Sequence, residues 1–329
     1  MAFLVALFVL VLALAYLWYN HNANPGGKAG PEVVVVIPKG AGVSHVASVL
    51  VHDKVISSGL AFQVFARLHG SGPFQAGYYR IARHESFSTI VADLGRGPVR
   101  ISVTIPEGFT LVQIGERVGR LVPGHSAQHF AAVARSGQVR SPYEPAGSNN
   151  LEGLLFPATY TITPQESDAA IISTMVDKFD QVAQGAGLAQ AARSLGLTPY
   201  QVITVASMIE REAKLPADRG KVARVIYNRL ASGRLLQIDA TLLYVLGATH
   251  TLTQADLNSP GPYNTYVNKG LPPTPISNPG LASLQAAAAP TPGPWIYYVV
   301  VSADGAEAFS TTLAQQQANI DLARSRGLG

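Results

Sequence analysis

Acid chemistry is suggested in this chain by carboxylates set where carboxylates are costly. Ala206-Ser207-Met208-Ile209-Glu210-Arg211-Glu212 puts two glutamates at the end of an almost wholly apolar segment. Leu151-Glu152-Gly153-Leu154-Leu155-Phe156-Pro157 sets a third inside an apolar run. A buried acid must be hydrogen-bonded or functional, and desolvation favours the protonated form that a general acid needs. On a helix, Glu210 shares a stripe with Ile203 and Ala206, so its carboxyl group is expected against apolar surface. Glu210 and Glu212 are two residues apart, about 200° around a helix. They cannot form a close pair, and one acid has to work alone. The plainer alternative pairs Glu210 with Lys214 one turn on and leaves Glu212 solvated, each worth roughly a few tenths of a kcal/mol. The helix by itself leaves both readings open.

The elements that position these acids are readable in outline. Thr198, Pro199 and Gln201 make a helix start, with a hydroxyl cap, proline at the first helical position and a glutamine closing a capping box. Apolar residues from Val202 to Ile209 cover nearly every direction, the pattern of a helix buried inside a domain. Pro216 ends that helix by about Leu215. A second helix is expected over 218–230, with Asn228 and Arg229 at its end and Gly233 terminating it. Gln237, Asp239 and Thr241 follow, with Asp239 as the cap of a third helix that stops at Gly247. Ser259 to Tyr266 and Gly270 to Ile276 then form a proline-stiffened loop carrying Tyr263, Asn264, Thr265 and Tyr266, a composition suited to line a saccharide cleft.

Six blocks in order resemble the YceG-like family of endolytic murein transglycosylases. They are Leu151-Glu152-Gly153, Ala206 to Glu212, Val222-Ala223 with Asn228-Arg229-Leu230, Leu236-Gln237-Ile238-Asp239, Tyr263-Asn264-Thr265-Tyr266, and Gly270-Leu271-Pro272-Pro273 through Asn278-Pro279-Gly280. Ile238, Ala240, Met208 and the inserted Gly261-Pro262 depart mildly from the usual pattern. The resemblance implies a lytic transglycosylase that cuts the bond between N-acetylmuramic acid and N-acetylglucosamine and leaves a 1,6-anhydro end. It implies Glu210 as acid and then base, because the sugar's own C6 hydroxyl attacks C1 and no second protein nucleophile is needed. It further implies that Glu152, Ser207, Asn228, Arg229, Gln237, Asp239 and Tyr263 to Tyr266 shape the cleft or bind sugar groups. For each of these a purely structural role is the competing reading. Peptidoglycan strands are the implied substrate, wall synthases the implied partners, and a brake on strand length the implied role. A hydrolytic muramidase using Glu210 with Asp239, and a non-catalytic wall-binding scaffold, are the alternatives.

Ala2 to Tyr19 carries no charge and is long enough, at about 18 residues, to span a bilayer. Trp18 and Tyr19 stand at its outer end as interfacial aromatics do. Ala13-Leu14-Ala15 resembles a signal cleavage site, but the basic n-region is missing, which favours a retained anchor. The charge rule for orientation is nearly silent; the resemblance puts the bulk of the chain on the outer, periplasmic side of the inner membrane. The expected division is an anchor at 1–20, a linker at 21–31, a LysM-like region at 32–145 and a catalytic domain at 146–329. The LysM-like reading rests on a repeat. Val33 to Ile37, Pro38-Lys39-Gly40 and a helix from Val43 recur as Ile101 to Ile105, Pro106-Glu107-Gly108 and a helix from Val112, with Gly77 to Ile81 and Ser86 to Leu94 between them. A spacer without glycan binding is the alternative for this half. The fold class is α+β, closing with a strand at 295–301, a second strand around Phe309 and a helix over 312–324.

The rest of the sequence narrows the chemistry. The chain has no cysteine, which excludes disulfides and thiolate catalysis. No cofactor or metal is expected: His125 and His129 are four apart, but no glutamate follows His125, so they read as a surface pair. No lysine has serine three residues before it, and no Gly-x-Ser-x-Gly elbow or complete P-loop occurs. A net charge of +4 suits an anionic wall or membrane surface. Only 13% of residues are charged and no basic cluster interleaves with aromatics, which argues against nucleic acid.

Overall fold

The computed structural model describes residues 1–328. Helix α1 (Ala2–Ala23) continues a turn beyond the apolar run and leaves its large apolar side chains exposed. It is long and apolar enough to cross a membrane, a property that signal sequences share.

Two compact units follow from how the chain packs. The first comprises Met1–Ser102 and Thr161–Glu166. It contains β1 (Glu32–Ile37), α2 (Val43–His52), α3 (Gly59–Leu68), β2 (Gly77–Ala82) and α4 (Phe87–Gly95). Alternation along β1 turns Val35 and Ile37 inward while Val34 and Val36 stay exposed. β1 pairs antiparallel with β2, Val35 opposite Tyr79. Their inner face packs on Val46, Leu50, Phe62, Phe87 and Ile90. Ala23 belongs to the same core and Tyr19 packs against it, so the end of α1 is built into this unit.

The second unit comprises Val103–Tyr160 and the chain from Ser167 onward. β3 (Ile101–Thr104) pairs with β4 (Thr159–Ile162), and the division between the units passes through both strands. α5 (Leu111–Leu121) packs on α6 (Ala127–Val133). Helices α7 (Asp168–Gly185), α8 (Leu188–Leu195), α9 (Pro199–Glu212), α10 (Pro216–Ala231), α11 (Asp239–Leu246), α12 (Gln254–Leu257) and α13 (Leu281–Ala288) come next. The hairpin of β5 (Tyr297–Val300) and β6 (Glu307–Ser310) and helix α14 (Leu313–Ser325) complete a mixed α+β architecture.

α9 lies at the centre of this unit. Its capping box forms as the sequence predicts: the Thr198 hydroxyl accepts from the Gln201 N–H, and the Gln201 side chain accepts from the Thr198 N–H. Every residue from Val202 to Ile209 is buried, against α8, α10, α11 and α13. Each apolar side chain so enclosed contributes about 1.5–3 kcal/mol. The helix stops at Glu212, three residues short of Leu215, because Ala213 is already extended. Leu215, preceding Pro216, is also extended, as a residue before proline prefers.

Candidate functional site

Glu210 leaves the last turn of α9 into a polar clasp, where the helix pattern predicts an apolar seat. The Gly280 N–H donates to one carboxylate oxygen at 2.9 Å, and the Arg219 guanidinium donates to the other at 3.4 Å. Arg219 takes the partner role that the plainer alternative gives to Lys214. Only 6% of the Glu210 side chain is exposed. Gly280 is the N-cap of α13, so the positive end of that helix supports a negative charge here and offsets the negative end of α9. These partners come from distant segments, which a helix pattern cannot register.

A second carboxyl group shares this clasp. Glu107 lies against the other side of Gly280: a β-carbon at Gly280 would fall 1.9 Å from its Oε1. Burial and the adjacent Glu210 charge push the Glu107 carboxyl up, opposed by Arg219. In the sequence Glu107 stands out only as part of a repeated turn, Pro106-Glu107-Gly108. Its one signal was an acid where the first copy of the repeat has Lys39. The 106–110 segment is fastened to the loop before α13 by two backbone bonds, Gly108 N–H to Asn278 O and Asn278 N–H to Phe109 O.

Asn278 also connects this clasp to Glu152. Its side-chain amide donates to Phe109 O and to Glu152 Oε1, and its Oδ1 accepts from the Leu155 N–H. Glu152 is fully buried and accepts further from the Leu111 N–H at the start of α5 and from the Tyr244 hydroxyl. Burial outweighs these donors and pushes Glu152 up to about 7. Tyr244 tilts against Tyr263, their rings 5.1 Å apart, and the Tyr263 hydroxyl meets that of Thr274 at 2.8 Å. Glu152, Tyr244 and Tyr263 line a cavity of about 460 Å³.

The other residues singled out in the sequence occupy different places. Glu212 turns away from Glu210, as their spacing requires, and accepts from the Tyr298 hydroxyl. Burial, and after it the nearby charge of Asp239, push it up, against the Tyr298 bond. Asp239 is not the cap of α11: Ile238 takes the N-cap position, and the Asp239 carboxylate accepts from the Tyr266 hydroxyl. Ser207 is buried, and its hydroxyl accepts from the Ile276 N–H and donates to Thr204 O. Asn228 holds the carbonyls of Gly293 and Trp295, and Arg229 those of Ile296 and Leu236, with the Gln237 amide oxygen beside it. Gln237 has a positive φ of 52°, and its N–H donates to Thr265 O. Thr265 accepts from the Ile238 N–H, and Asn264 fastens its own loop through Leu257 O and Ser259 O. The structure thus gathers Glu210, Glu107, Arg219 and Gly280 at one point, with Glu152 linked to it by Asn278. Asp239, Tyr266 and Glu212 lie on another face of α9. His125 and His129 are not a plain surface pair: both rings bond the buried Asp168 carboxylate at 2.5 Å, and the His125 side chain is only 6% exposed.

Together these features define a mixed α+β protein whose central helix delivers one acid to a glycine-turn clasp. The chain belongs to the YceG-like family, whose family model matches residues 35–322. It is 32% identical over 323 residues to the endolytic murein transglycosylase of Bacillus subtilis, covering 93% of this chain and 89% of that protein. It is 29% identical over 320 residues to the endolytic murein transglycosylase of Streptococcus pneumoniae strain D39, covering 88% of this chain but 58% of that longer protein. The crystal structure of a YceG-like protein from Listeria monocytogenes matches with a TM-score of 0.59 and 31% identity, covering 88% of this chain and 99% of that one.

Proposed function

We propose that this protein is an endolytic lytic transglycosylase of peptidoglycan, with Glu210 as its catalytic acid and base. The observation that carries the reading is the Glu210 clasp: two carboxyl groups, Glu210 and Glu107, meet one guanidinium and one helix N-terminus at Gly280. Glu107, whose carboxyl is pushed up by burial and then by the Glu210 charge, stands beside the acid as a neighbouring proton carrier. In the first step Glu210, acting as the acid, gives a proton to the glycosidic oxygen as the C1–O bond breaks. The C6 oxygen of the same muramyl sugar then bonds to C1, and its proton returns to Glu210. No water is consumed, and the intramolecular attack gains from effective molarity. The hydrolytic alternative has less support, since Asp239 bonds Tyr266 and acts on Glu212.

The test is Glu210→Gln in the full chain, incubated with murein sacculi. Anhydro-ended fragments, lighter by one water than reducing ends, should vanish while the melting temperature holds. Undiminished release would sink the reading, and reducing ends from the wild type would favour the muramidase.

The same proposal includes the setting. α1 serves as a retained anchor in the inner membrane with the enzyme on its outer side, supported by the packing of Tyr19 and Ala23 into the first unit's core. The strand-turn-helix repeats, β1 to α2, β2 to α4 and β3 to α5, support a LysM-like region at 32–145 and a catalytic domain at 146–329, although α1 takes the first three residues of the 21–31 linker and 103–145, with Glu107, packs into the second unit. Cutting nascent strands would limit their length, with wall synthases as partners.

A further inference from the structure

The cavity beside the clasp carries positive charge that the acid–base mechanism does not use. Arg135 and Arg211 both line it, both are exposed, and neither guanidinium has a hydrogen-bond or ion-pair partner among the described residues. The acid in the cavity lining, Glu152, is fully enclosed in the wall with its oxygens committed to Leu111, Asn278 and Tyr244. Gln113 and Thr110 add hydrogen-bonding capacity, and Tyr244 and Tyr263 add flat apolar surface. About 460 Å³ accommodates a small-molecule-sized group. Arg211, which lines the cavity, directly follows the acid Glu210 in the chain. The point one bond out from the Gly108 Cα lies 3.6 Å from Glu210 Cγ and 3.8 Å from Arg211 Nη1.

A muramyl sugar differs from its glucosaminyl neighbour by a lactyl ether that carries a short peptide with free carboxylates. Two unpaired guanidiniums lining one cavity fit a carboxylate, which arginine binds with paired, charge-assisted bonds. We propose that this cavity receives the peptide substituent of the muramyl residue poised for cleavage, with Arg135 and Arg211 holding a peptide carboxylate. The site is then a specificity device that sets which sugar stands over Glu210 and favours strands that still carry their stems. This inference rests on the transglycosylase reading.

The test compares kcat/KM of full-length protein on uncross-linked strands with intact stems and on the same strands stripped by an amidase. The wild type should prefer intact strands. Arg135→Gln and Arg211→Gln should each lower the intact-to-stripped ratio by about tenfold, the worth of one hydrogen bond to a charged group. Both positions are exposed, and unchanged melting temperatures should show that the variants fold. Equal loss on both substrates, or a wild type indifferent to stems, would overturn the peptide site while leaving the transglycosylase reading intact. Absence of anhydro products with either substrate would overturn that reading instead.

Discussion

At the scale of single residues, the site is a set of carboxyls distinguished by their donors. Glu210, Glu107, Glu152 and Glu212 all belong to the second unit, yet each answers to different partners. Glu152 gives a pH signature. Its carboxyl ionises at about 7 in the folded chain against a usual value of 4.5, so the fold binds that proton more tightly than the unfolded chain does. Its stabilising contribution is complete below pH 4.5 and is lost as pH rises through about 7. The full swing is about 3 kcal/mol. Glu152→Gln should flatten the decline of melting temperature with pH over that window. The amide oxygen can keep the Leu111 and Asn278 bonds, and Tyr244 can reverse its hydroxyl to accept. A decline as steep as the wild type's would show that another group sets it.

At the scale of elements, α9 is a rigid post and the 276–280 loop is the bracket fixed to it. Ser207 secures the bracket at Ile276, Asn278 ties it to Glu152 and Phe109, and Gly280 presents its N–H to Glu210. Gly280→Ala tests the bracket. The backbone there, φ −77°, accepts any residue, but the new methyl group would displace the Glu107 carboxyl. Turnover should fall on the order of 100-fold, the cost of misplacing a catalytic group by about 1 Å, with little change in the urea midpoint. Unchanged turnover would mean that the Glu107 carboxyl is dispensable. Thr198→Ala should act on stability alone, lowering it by about 1 kcal/mol through loss of the α9 cap, as read from the same urea titration.

At the scale of the whole molecule, the apolar α1 and the wall-directed chemistry are consistent with each other. Retained as an anchor, α1 would hold the enzyme to strands within reach of the membrane, which suits cleavage of newly made material. Membrane fractionation followed by carbonate extraction should leave the full-length chain in the pellet, with Met1 or Ala2 at its N-terminus. A chain beginning after Ala15 in the soluble fraction would establish a cleaved signal instead.

The sequence by itself determined what local physics determines. Thr198, Pro199 and Gln201 start α9 wherever the helix lies, because capping bonds span three residues. Its all-round apolar surface requires burial, and the 200° between Glu210 and Glu212 divides them between different environments. Only the tertiary structure decided those environments. Glu107 and Gly280 reach Glu210 from far along the chain, Arg219 rather than the alternative Lys214 pairs with it, and Asp239 bonds Tyr266 while Ile238 takes the capping position. Each is a long-range polar contact made by one or two atoms. Such contacts leave no periodicity in the sequence, because hydrogen bonds need only proximity and direction, and folding supplies both.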